Sequence, residues 1–144
     1  VFGAIVRNLA VSRFCRMLGT MLGNGVPMIA AMEISKDATG NLLLEEAIVE
    51  ATDAVRQGEP LAGPLGKSGL IGDDVLEMIS VGEQANNLDE VLVRVAETID
   101  KRTDRLFTAA VRLVEPLMLL LIAAIVGVVA ISLLLPIMQL SDVR

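Results

Sequence analysis

Apolar positions along the chain recur with helical spacing, and no β-hairpin pattern interrupts them. Residues 1–11 read as a lead-in linker that accommodates a short helix. From Ser12, placed to act as a cap, Phe14, Met17, Leu18, Met21 and Leu22 share one face of a predicted helix. Gly23-Asn24-Gly25 ends it with residues that tolerate positive φ, and Pro27 fits the first turn of a second helix carrying Ile29, Met32 and Ile34. Thr39-Gly40-Asn41 breaks that helix. A third is expected over 42–56, with Leu44, Ala47, Ile48, Ala51 and Val55 as its stripe and Gly58 as its stop. The Gly- and Pro-rich stretch 59–72 has room for a short turn of helix at 61–65. Asp73-Asp74 open a fifth helix with Val75, Met78, Ile79 and Gly82 on one side, and Asn86-Asn87 turn the chain.

The last helix is the longest. Leu88, Val91, Leu92, Val95, Ala96 and Ile99 keep the spacing, Arg102 and Thr103 interrupt it, and Leu106, Phe107, Ala110, Leu113 and Val114 resume it. The pattern then merges into a charge-free stretch between Pro116 and Pro136. About 19 residues at 1.5 Å rise cover roughly 28 Å, the thickness of a bilayer's hydrocarbon core. Each Leu, Ile or Val there favours insertion by roughly 0.3–0.6 kcal/mol, and no charge opposes it. A core helix buried on all sides would need more surrounding structure than a chain of this size supplies. Pro116 removes one backbone donor, so a bend is expected there. The predicted fold class is all-α: an antiparallel bundle of about six helices, the last continuing into a single membrane span. By residue, 12–112 form the helical domain, 113–138 the span and 139–144 a tail.

Charge orients the span. Lys101, Arg102, Arg105 and Arg112 precede it and only Arg144 follows, which places the bulk of the chain in the cytoplasm and the tail outside. With no Trp or Tyr, the usual aromatic anchors are missing. The net charge of −6 argues against nucleic acid as a partner. Cys15 is the only cysteine, so no intrachain disulfide forms, and the absence of His removes the commonest general base and metal ligand. The chain starts at Val1, Val1 to Val6 is too short for a signal peptide's apolar core with a cleavage site, and the chain reads as a piece of something longer.

Candidate chemistry is sparse. Gly66-Lys67-Ser68 has the end of a phosphate-binding loop, but Leu61 stands where that loop's first glycine belongs and Gly69 follows at once. It reads as a turn. The acids of 45–53 and of 73–77 read as solvated helix faces, although a weakly held interface cation is compatible with them. Cys15, beside the apolar stripe, has no imidazole partner that could activate it. No cofactor is expected. Ala123, Gly127 and Ala130 share one face of the span and would let another helix approach closely; ordinary small-residue content gives the same pattern.

Several strings resemble a known family. Arg13-Phe14-Cys15-Arg16-Met17-Leu18-Gly19-Thr20-Met21-Leu22 with Gly25-Val26-Pro27 is similar to the opening of the type II secretion F domain. Val81-Gly82-Glu83-Gln84 with Leu88-Asp89, Leu113-Val114-Glu115-Pro116 at the membrane entry, and Leu135-Pro136-Ile137 match it further, in order. The family usually has Gly in the turn after its Gly-Glu pair, where this chain has Asn86. Asn also tolerates positive φ, so the turn is expected to persist.

The resemblance implies an inner-membrane platform protein of a type II secretion or type IV pilus machine, here the C-terminal copy of a doubled domain. It implies a non-catalytic role linking a cytoplasmic assembly ATPase to pilin or pseudopilin subunits. Other inner-membrane subunits, lipid and further copies of the chain are the remaining expected partners. Gly82, Glu83, Asn86 and Asp89 would then be the domain's motif turn. Glu83 is a candidate acceptor for a backbone donor at the start of the next helix. The alternative is a passive membrane-anchored scaffold.

Overall fold

A computed structural model describes residues 2–141, with side chains over 3–138. Six helices account for them: α1 (Phe2–Gly23), α2 (Met28–Asp37), α3 (Leu42–Arg56), α4 (Ala62–Lys67), α5 (Asp73–Gln84) and α6 (Leu88–Ser141). The expected all-helical class and element order hold. Two units divide the chain, Val1–Asp104 and Arg105–Arg144.

The first unit has one core, to which all six helices contribute. Phe14 and Leu18 come from α1, Met32 from α2, Leu44 and Ile48 from α3, Leu65 from α4, Ile79 from α5, and Leu92 and Val95 from α6, all fully buried. Each such side chain contributes roughly 1.5–3 kcal/mol of hydrophobic stabilisation. The connections are short because each helix stop has a local cause. Asn41 caps α3 by accepting the Leu44 N–H at 3.1 Å. At the end of α5, Asn86 adopts φ 56°, and the Asn87 and Asn86 N–H groups donate to the Gly82 and Glu83 carbonyls at 3.0 and 3.2 Å. The turn expected at Asn86 is therefore kept.

Several expectations about this unit need correction. Residues 2–11 are the first turns of α1, so Ser12 is no cap. It lies buried inside the helix, and its hydroxyl donates to the Asp100 carboxylate at 2.5 Å and faces the Ala96 carbonyl at 3.3 Å, both on α6. The buried face of α1 is Ala10, Val11, Phe14, Cys15 and Leu18; Met17 is exposed and Met21 and Leu22 are only half-buried. Cys15 thus sits within the core, where burial pushes its thiol up to about 12. On α2, Met32 is buried but Ile34 is exposed. Finally, Thr103 does not interrupt the α6 face: it is buried, with its hydroxyl donating to the Ile99 carbonyl at 3.0 Å.

In the second unit, side chains 105–138 are exposed, Gly127 alone being intermediate. Among the described residues, α6 is the one helix long and apolar enough to cross a membrane. Its helical conformation continues through Pro116 and Pro136 to Ser141, three residues into the expected tail. Residues 142–144, with the orienting Arg144, lie outside the described residues.

Candidate functional site

The motif residues Gly82, Glu83, Asn86 and Asp89 gather where α5 turns into α6. Gly82 is buried against Val91, and a Cβ added to it would stand 2.9 Å from Val91 Cβ. Only glycine allows α5 and α6 to approach this closely. Asp89 lies in the first turn of α6, where a carboxylate suits the helix dipole. Its backbone carbonyl faces Gly19 of α1, where an added Cβ would come within 2.8 Å of that oxygen. Its carboxylate lies near Gly23, 3.5 Å from where a Cβ would be.

Glu83 accepts backbone donors, but not from α6 as expected. The Leu61 N–H donates to Oε1 at 2.5 Å and the Ala62 N–H to Oε2 at 3.3 Å, both at the start of α4. Leu61 offers no side-chain cap of its own, so a carboxylate from α5 satisfies donors that α4 leaves unpaired. The local sequence around α4 gives no sign of a partner that lies on another helix. Through Gly82, Glu83 and Asp89 the turn therefore touches α1, α4, α5 and α6 at once.

Two polar contacts fasten the other end of the part of α6 that belongs to the first unit. Arg16 of α1 ion-pairs with Asp100, whose carboxylate also accepts from Ser12. Arg102 donates to Asp74 of α5 at 2.5 Å. That hydrogen bond, helped by the guanidinium charge, holds the Asp74 carboxyl below its ordinary 3.8. Sequence reasoning missed both contacts and Gly19. Gly19 alone left a signal: a glycine inside an amphipathic helix costs about 1 kcal/mol unless packing requires it.

The remaining expected site residues lie in the second unit. Glu115 and Pro116 are exposed within α6. Ala123 and Ala130 are exposed, and a Cβ on Gly127 would meet nothing within 4 Å. Their small side chains thus have no packing partner among the described residues. No group of three or more His, Cys, Asp or Glu among those residues is placed to hold a metal ion.

The model of the family described as type II secretion system (T2SS), protein F matches residues 14–136. The chain is 33% identical over 141 residues to the type IV pilus assembly protein PilC of Myxococcus xanthus, covering 98% of this chain and 34% of that protein. It is 35% identical over 142 residues to the type II secretion system protein F of Xanthomonas campestris pv. campestris, covering 99% of this chain and 35% of the relative. To PilC of Pseudomonas aeruginosa it is 30% identical over 143 residues, covering 99% and 38%. The chain thus spans about a third of the length of these curated relatives.

Proposed function

We propose, from the premise that this chain belongs to the type II secretion system protein F family, that it is the C-terminal copy of the family's domain within a longer inner-membrane platform protein. The string Leu135-Pro136-Ile137, which resembles the family's ending, supports that placement. The domain faces the cytoplasm and the end of the span faces the periplasm, as the excess of Lys and Arg before the span favours. The platform performs no reaction. It couples conformational change in a cytoplasmic assembly ATPase to the lifting of pilin or pseudopilin subunits into a fibre.

One observation carries this reading: α6 supplies Leu92, Val95, Ala96 and Ile99 to the core of the first unit and, further along the same helix, the apolar stretch 117–135. A helix shared by a water-soluble core and a lipid span is suited to transmit displacement, because no flexible loop intervenes. Glu115 and Pro116 mark its entry into lipid, and Ala123, Gly127 and Ala130 form the face on which a neighbouring membrane helix packs. Gly127→Leu should therefore lower crosslinking of the span to other membrane subunits.

The test is a flexible Gly-Ser insertion after Arg112 in the complete protein. Fibre assembly should be lost while the melting of the helical domain is unchanged. Normal assembly with that insertion contradicts coupling through α6 and favours a passive scaffold.

A further inference from the structure

The hairpin of α2 and α3 carries a groove in which exposed apolar side chains stand among charged ones, and none of the described residues covers it. Ile34, Leu42 and Val49 are 53%, 78% and 44% exposed. They line two adjoining depressions of about 500 and 440 Å³ that share Lys36, Asp37 and Val49. Leu42 and Val49 stand two helical turns apart on α3 with Glu45 and Glu46 between them, so apolar and acidic positions alternate along that face.

The rim is acidic. Residues 28–56 hold six acids, at 33, 37, 45, 46, 50 and 53, against Lys36 and Arg56, a local balance of −4 in a chain of net −6. Arg56 pairs with Glu33 and Asp53, and Lys36 stands 4.0 Å from Asp37. Among the described residues, Glu45, Glu46 and Glu50 have no ion pair.

We infer that this groove docks a basic amphipathic helix of a partner protein. The inference does not depend on how α6 transmits force. A helix laid along α3 would place apolar side chains at i, i+3, i+4 and i+7 over Val49, Leu42 and Ile34, with its Lys and Arg over the three unpaired glutamates. An anionic membrane surface does not fit, because the acid rim repels it. A second copy meeting this face with the same face opposes two surfaces of −4.

The test uses the full chain in nanodiscs of zwitterionic lipid. The probe is a fluorescent synthetic helix of about 18 residues, with Leu at i, i+3, i+4 and i+7 and Lys elsewhere, followed by anisotropy against empty nanodiscs. Binding should weaken with added salt, and a shuffled peptide of equal composition should bind far less. Leu42→Ser with Val49→Ser should weaken binding about tenfold, from the lost apolar contact. Glu45→Gln with Glu50→Gln should flatten the salt dependence, and amide exchange in α3 should slow when the probe binds. Leu42, Val49 and Glu50 are exposed and Glu45 is half-buried, and unchanged melting confirms the fold.

Equal binding of the shuffled peptide, indifference to both double variants, or protection confined to other helices overturns the inference. So does adsorption of α3 to anionic vesicles, or concentration-dependent self-association that covers α3 and excludes the probe.

Discussion

Gly82 of α5 and Val91 of α6 are in backbone-close contact, with the place of a Gly82 Cβ only 2.9 Å from Val91 Cβ. An alanine would gain about 1 kcal/mol of helix propensity. The obstructing atom is fixed to the backbone of α6 and cannot rotate away, so overpacking wins. Gly82→Ala should destabilise the domain by roughly 1–3 kcal/mol in denaturant titrations. Val91→Ala keeps the offending Cβ and should give little relief, whereas Val91→Gly in the same background should recover part of the loss. Gly19→Ala meets the Asp89 carbonyl, which no substitution removes, and should cost a similar amount without rescue. An exposed helix glycine would respond oppositely, by stabilisation.

Glu83 reaches across to α4. Glu83→Ala leaves the Leu61 and Ala62 N–H groups without their acceptor and should cost about 1–3 kcal/mol. Glu83→Gln keeps one carbonyl oxygen and should cost clearly less. Hydrogen exchange at Leu61 and Ala62 reads the same contact directly: both amides should exchange faster in the alanine variant while those of α3 stay protected. Unchanged exchange would show that the carboxylate caps nothing.

The Asp74–Arg102 pair makes a pH prediction. The carboxyl is held below 3.8 in the folded chain. Its contribution to stability is therefore complete above the unfolded value and disappears as pH falls through the folded one. Both side chains are more than half exposed, so the pair is worth at most about 1 kcal/mol. In carboxyl NMR titrations, Asp74 should titrate below 3.8, and Arg102→Gln should move it up. Identical titration curves would mean that the pair does not form in solution.

The fold was legible in the sequence where information is local. Gly23-Asn24-Gly25, Thr39-Gly40-Asn41, Gly58 and Asn86-Asn87 punctuate the helices through backbone conformation, which a few neighbouring residues decide. The stripe of α3 was legible because its polar face is strongly charged. On α1, Met17 and Cys15 are both apolar, and only the packing of the other helices selects Cys15 for the core. Ser12 has the local signature of a cap, while its partners Ala96 and Asp100 lie far along the chain. The same holds for Glu83: its acceptor role was readable, but its donors belong to α4, which no spacing rule connects to it. The motif turn was found through family resemblance, and its physical content, close approach at Gly82 and a cap for α4, required the structure.

Continuity of α6 between core and span is tested most directly by an interspin distance. Cysteines replacing Glu97 and Glu115, both exposed, provide the label sites, and buried Cys15 with its raised thiol stays unlabelled. An unbroken helix, at about 1.5 Å per residue, would separate the two positions by roughly 27 Å. Double electron–electron resonance of the full chain in nanodiscs should give a single narrow distribution near that value. A broad distribution, or one centred well below it, would mean that a joint lies between the helical domain and the membrane, and that α6 does not carry force across.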